Sequence, residues 1–145
     1  MIKKASQRLG NERGLTLVEL LAVIVILSIV GTIAFVYVGG IIENIRKDAH
    51  IANAQQVINA AKMYQAADGD INDGVTVDQL TSAGFLENIL DPWNRNKTYG
   101  GEAVITKEED GEFAITGFNS SGCTFGDKAV LESDLHTEDR DTLCK

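Results

Sequence analysis

"ERGLTLVELLAVIVILSIVGTIAFVYVGGII", residues 12–42, decides how the rest of this sequence is read. Residues 20–42, 23 in all, carry no charge, and Leu, Val, Ile, Ala and Phe dominate them. A bilayer core of roughly 30 Å needs about 20 helical residues, so the run is long enough to span one. It is apolar on every side, as suits a helix surrounded by lipid or by other helices. One residue disturbs this picture. Glu19 is the only charge between Arg13 and Glu43, and a carboxylate at such a place is costly and usually partnered.

Outward from this stretch the charge divides. Residues 1–14 carry a net +3 through Lys3, Lys4, Arg8 and Arg13 against Glu12, and residues 15–145 carry −11. A basic start and an acidic body predict a cytoplasmic N-terminus with the body outside. So acidic a body is a poor general binder of nucleic acid, whose affinity rests on neutralising phosphates. The two cysteines, Cys123 and Cys144, both fall in the outer part, where a disulfide is the simplest expectation. No Cys-x-x-Cys or Cys/His zinc spacing occurs. The 145 residues allow one modest domain plus an anchor.

A basic start before an apolar run fits three kinds of N-terminus. One is a secretory signal peptide, with Thr32-Ile33-Ala34 as a passable cleavage site. Another is an uncleaved signal anchor. Neither accounts for Glu19. The third is carried by "RGLTLVEL", residues 13–20, which resembles the processing site of type IV prepilins and pseudopilins. The resemblance rests on a basic leader, Gly14, hydrophobic Leu15, Thr16, Glu19 and the long apolar run, and it is close from residue 8 to about 38.

It implies a leader peptide, 1–14, that a prepilin peptidase removes between Gly14 and Leu15, with N-methylation of Leu15. It also implies assembly contacts by Leu15, Thr16 and Glu19, in which Glu19 of one subunit faces the Leu15 amine of a neighbour. Two features depart from the usual pattern. No proline stands near Val36, where many members have one, and Gly31 and Gly39-Gly40 are the nearest helix-weakening residues. The 14-residue leader is longer than the shortest ones.

After the anchor, residues 15–42, the sequence predicts an amphipathic continuation over 43–67. Ile45, Ala49, Ala52, Ala60, Tyr64 and Ala67 recur at three- and four-residue steps, Gln56 interrupts them, and Asp68-Gly69-Asp70 ends the helix. Leu15 to Ala67 would measure about 80 Å if straight. Residues 68–145 then form a small outer domain. Thr76 and Gln79 make a capping-box pattern and Gly84 suits the helix end. "EAVITKEEDGEFAITGF" predicts a hairpin about Asp110-Gly111, with Val104, Phe113 and Ile115 facing inward. "LTSAGFL…DPWNRNKTYG" resembles the loop region after the long helix in Gram-positive pilins and pseudopilins. The expected fold class is α+β: a long N-terminal helix whose amphipathic half packs on a small antiparallel sheet, the pilin lollipop.

Residues 118–145 offer few apolar anchors, so a Cys123–Cys144 bridge is expected to fasten the tail, contributing roughly 3 kcal/mol. In the resembling pilins such a bridge bounds a surface loop used in subunit contacts or adhesion. Asp68, Asp70 and Asn72 match alternate ligand positions of a calcium loop, but Gly74 falls one residue late and Gln79 replaces the closing Glu. A helix stop and turn is the plainer reading, and no cofactor is expected. Asp127, Glu132, Asp134, Glu138, Asp139 and Asp141 read as a solvated acidic face, with a cation site such as calcium as the alternative. Arg46, Lys47 and His50 read as a basic patch outside the membrane, for interfacial anchoring, a subunit salt bridge or DNA contact.

No Ser or Cys stands at recognisable spacing from His50 or His136, so an enzyme is not expected. The function implied is a filament subunit serving motility, adhesion or DNA uptake. Its partners would be prepilin peptidase, identical or related pilin subunits, an assembly platform protein with its ATPase, and the membrane before assembly. The alternatives are a secretion-type pseudopilin or an anchored outer binding module that never polymerises. The expected location is a single-pass membrane protein, then a cell-surface filament.

Overall fold

A computed structural model describes residues 9–100, 102–126 and 128–144, with side chains from Thr16 onward. The leader residues 1–8 and the side chain of Leu15 thus lie outside the described residues, as does Asp127. The chain divides into two compact units between Ile42 and Glu43.

Helix α1, Leu9–Ala66, contributes to both units. In the first unit every described residue from Thr16 to Ile42 is exposed. The two hydroxyls within the run turn back on the helix itself: Ser28 Oγ donates to the Ile24 carbonyl at 2.7 Å and Thr32 Oγ1 to the Ser28 carbonyl at 2.8 Å. The backbone and hydroxyls are thereby satisfied without water, the condition that lipid imposes on a spanning segment. Gly31, Gly39 and Gly40 face open space within the chain, and all three are helical.

The second unit is built on the rest of α1. Its buried side is His50, Ala54, Val57, Ile58 and Ala61, a spacing of four, three, one and three that draws one stripe down a helix. Of the expected face, Ala60 is buried and Tyr64 packs on the core, but Ile45, Ala52 and Ala67 are corrected. Ile45 is 59% exposed and Ala52 and Ala67 are exposed too. His50, a titratable residue by sequence, opens the buried face. Alanines at 54, 60 and 61 keep that face low, so the sheet can approach closely.

Helix α1 closes at Ala66, one residue short of the expected end, through local chemistry. Asp68 takes φ +64°, Gly69 N–H donates to the Tyr64 carbonyl at 2.9 Å and Asp68 N–H to that of Gln65 at 3.1 Å. These are the paired bonds of a Schellman stop, with Asp tolerating the left-handed position. A side chain at residue 69 would collide with the Tyr64 ring, so glycine there answers to close approach.

Four short strands follow: β1 Val75–Thr76, β2 Val104–Lys107, β3 Phe113–Thr116 and β4 Val130–Leu131, antiparallel in that spatial order. Their register aligns Val75, Ile105, Ile115 and Val130 in one row across the sheet. All four are buried and join the α1 stripe in one apolar core. The hairpin turns at Glu108–Glu112, where the Glu108 N–H donates to the Glu112 carbonyl at 2.8 Å. Phe113 and Ile115 face inward as expected, but Ile105 replaces Val104, which is only half-buried. Pairing Ile105 with Ile115 leaves Val104 opposite Thr116, and one residue along a strand exchanges the faces.

Helix α2, Val77–Ser82, begins with the expected reciprocal cap: Gln79 N–H donates to Thr76 Oγ1 at 3.2 Å and Thr76 N–H to Gln79 Oε1 at 2.8 Å. Gly84 follows its end at φ +82°. Helices α3, Glu132–Thr137, and α4, Arg140–Leu143, complete the chain. The fold is α+β, with the amphipathic part of α1 packed on a small four-stranded antiparallel sheet.

Candidate functional site

Two places carry chemistry beyond plain folding. The first is the exposed apolar part of α1. Leu17, Val18, Leu20 and the large residues that follow stand between 43% and 85% exposed through Ile42. Glu19 interrupts them as the one carboxylate. Side chains at 16 and 19 lie on one helix, three residues apart and so on one side of it. A surface of this size and character is not stable facing water. It is long and apolar enough to cross a membrane.

The second place is a polar cluster at the start of the outer unit, which sequence reasoning missed. His50 is fully buried. One ring nitrogen, Nε2, lies 3.1 Å from the Phe118 carbonyl and the other, Nδ1, 2.6 Å from the Tyr99 hydroxyl. A carbonyl can only accept, so Nε2 carries the proton, and Nδ1 accepts from the Tyr99 O–H. Burial pushes the His50 pKa down to about 4, outweighing upward pulls from the Phe118 carbonyl and Asp91. The imidazole is therefore neutral at pH 7, and His50 does not belong to a basic patch with Arg46 and Lys47. The Tyr99 phenol is pushed up, first by burial and then by the Asp91 charge.

Around the imidazole stand four aromatic rings, those of Trp93, Tyr99, Phe118 and Phe125, with centroids 4.8–6.0 Å away. Tyr99 stacks on Phe118 at 4.0 Å. Asp91, also buried, accepts on one oxygen from Trp93 N–H at 2.8 Å and from Ser120 Oγ at 2.6 Å. Trp93 Nε1–H donates to both Glu43 oxygens at 3.0 and 3.1 Å. A side chain at Gly122 would strike the indole, so the backbone there lies flat against Trp93. The only advance signs were the aromatic-rich segment "DPWNRNKTY", residues 91–99, and the position of His50 four residues before Ala54.

Cys123 and Cys144 are disulfide-bonded. The segment that they bound is more than a surface loop, and the tail is better anchored than its composition suggested. It contains β4, α3 and α4, and its Phe125, Val130, Leu135 and Leu143 all reach the core. Two members of the supposed solvated acidic face are also engaged by α1. Lys47 Nζ lies 2.7 Å from Asp141, whose pKa its hydrogen bond lowers, and Lys62 pairs with Glu132. Arg140 reaches Asp48 at 2.8 Å in the opposite sense.

The "DGDINDG" segment forms a turn in which Asp70 Oδ1 accepts from the Asn72 N–H at 2.9 Å, directly after the left-handed Asp68. Among the described residues no three His, Cys, Asp or Glu side chains converge as a metal site. A cleft of about 300 Å³ lies beside Asp91, Lys97, Tyr99, Glu102 and Asn119.

One helix with an apolar surface exposed all round, followed by a small disulfide-bonded α+β unit, defines a class: proteins that carry a compact domain on a helical anchor. Within that class, residues 9–35 match the family model of the prokaryotic N-terminal methylation motif. The match is confined to the start of α1 and makes that stretch similar to the N-termini of type IV pilins and pseudopilins. It points to a structural protein rather than an enzyme, and with the apolar helix it fits a membrane-anchored precursor of a surface filament. No curated protein and no solved structure matches the chain.

Proposed function

We propose that the chain is a filament subunit, made as a prepilin, cut by prepilin peptidase between Gly14 and Leu15, N-methylated at Leu15 and polymerised through α1. What supports this most is the charge pattern of α1: a wholly exposed apolar surface from Leu17 to Ile42 broken by the single carboxylate of Glu19. Before cleavage the nitrogen of Leu15 is a peptide nitrogen and gives Glu19 no cation to meet. Cleavage turns it into an ammonium. When helices bundle away from water, Glu19 of one subunit pairs with that ammonium on its neighbour. Removing one partner of a buried ion pair typically costs about 3–5 kcal/mol, so the pair fixes register and makes processing a condition of growth.

Before assembly the N-terminus lies in the cytoplasm and the outer unit outside. A platform protein and ATPase then draw subunits into a filament at the cell surface, for motility, adhesion or DNA uptake. N-terminal sequencing of chain taken from cells tests the reading. Methyl-Leu15 supports it. Met1 on assembled material overturns it, and Met1 on chain found only in membranes favours a non-polymerising anchor. Glu19→Ala should still insert into membranes but stop filament growth, as electron microscopy of sheared cell-surface material would show. Filaments that form only with a secretion system induced would make the chain a pseudopilin.

A further inference from the structure

Trp93 is the single tryptophan of the chain, and its indole N–H is held on the Glu43 carboxylate. Glu43 is the first charged residue after the uncharged run 20–42. In a membrane-inserted chain the run fills the hydrocarbon, so Glu43 marks its outer border. The hydrogen bond keeps the Trp93 indole within about 3 Å of that carboxylate. Asp91, which accepts from the Trp93 backbone, and Gly122, which lies against the indole, hold the ring there from the outer unit.

Two cations stand close along the chain, Arg46 three residues after Glu43 and Arg95 two residues after Trp93. Arg46 is half-exposed, with one loose 3.9 Å approach to Glu43. Arg95 is exposed and, among the described residues, makes no ion pair. It projects from a turn that is firmly closed: Asn94 N–H donates to the Asp91 carbonyl, Lys97 N–H to that of Asn94, and Asp91 N–H to that of Lys97, at 2.9–3.2 Å. Residues 15–145 carry −11, so an anionic membrane surface repels the body as a whole. Local cations at the border work against that repulsion. Tryptophan favours the head-group level, where its apolar ring and polar N–H are both accommodated. Guanidinium groups bind phosphate oxygens through paired N–H donors.

We propose that Trp93, Arg46 and Arg95 form an interfacial collar that binds the phosphate head groups of anionic lipids and holds the outer unit on the membrane until assembly withdraws it. The proposal rests on the membrane-anchored reading above. Withdrawal releases the same cations.

The single tryptophan makes the test direct. Full-length chain is reconstituted into phosphatidylcholine vesicles with or without phosphatidylglycerol, flotation confirms insertion, and Trp93 emission is quenched by nitroxides at head-group or deep acyl positions and by aqueous acrylamide. The head-group nitroxide should quench most, and more so with phosphatidylglycerol. R46Q/R95Q should lose that phosphatidylglycerol-dependent increment while keeping the melting temperature of the outer unit. Floating chain quenched chiefly by acrylamide in both lipids overturns the collar, as does an R46Q/R95Q chain that behaves like the parent. Failure to float overturns the membrane reading itself, and the collar with it.

Discussion

Phe35 and Phe118 summarise two regions that obey the same physics with opposite results. Phe35, in the first unit, is 85% exposed; Phe118, in the second, is fully buried against Tyr99 and His50. Residues 43–144 satisfy themselves. Apolar side chains from α1, the sheet and the C-terminal helices form one core, and among the described residues no buried side-chain nitrogen or oxygen is left without a partner. Residues 16–42 satisfy only their backbone and hydroxyls and leave their apolar surface to other molecules. The difference teaches that the two regions are stabilised by different surroundings. Damage to one should be invisible in the other.

The strongest way to break that contrast is paired truncation. Phe118→Ala removes a fully buried ring and should cost about 3–5 kcal/mol, whereas Phe35→Ala should leave the thermal unfolding of the outer unit unchanged. Circular dichroism of both variants in mild detergent reads this. A clear loss of melting temperature in Phe35→Ala would join the two regions energetically.

Acid should weaken the folding of the second region. The folded pKa of His50 is lowered to about 4 from 6.5, so between those values the unfolded chain binds the extra proton and the folded chain does not. The contribution of His50 is complete above about pH 6.5 and is lost as pH falls toward 4, by roughly 3 kcal/mol in all. Urea unfolding at pH 7 and 4.5 measures it, and His50→Gln should flatten the pH dependence.

Reducing the Cys123–Cys144 bridge, which closes a separation of 21 residues, should cost about 3 kcal/mol by loop entropy. It should lower the midpoint of outer-unit unfolding without changing membrane insertion. The smallest effect belongs to the cap. Thr76→Ala removes the acceptor for Gln79 N–H and should cost about 1 kcal/mol, seen as a modest midpoint shift with an unaltered slope.

Much of this architecture was legible in the residues. The apolar run, the Thr76–Gln79 cap, the Asp110-Gly111 hairpin and the helix stop at Asp68-Gly69 are local features. Each depends on residues within a few positions, so the chain announces them directly. The methylation motif is local for the same reason. Reading failed where a residue's role depended on a distant partner. Val104 and Ile105 are adjacent apolar residues in one strand, and only pairing with Ile115 decides which turns inward. His50 carries an ordinary titratable side chain in sequence. It becomes a neutral buried ring because Tyr99 and Phe118, 49 and 68 residues away, supply its hydrogen bonds.

From its order of residues alone this protein acquired an apolar helix with one acid near its start, since hydropathy and helical period need no partner to take effect. Tertiary contact alone chose which side of that helix turns toward the sheet beyond Glu43, and it gave a histidine, an aspartate and a tryptophan each its own hydrogen-bond partners. A polar group accepts burial only when the fold brings its complement within about 3 Å, and no local stretch of chain contains that information.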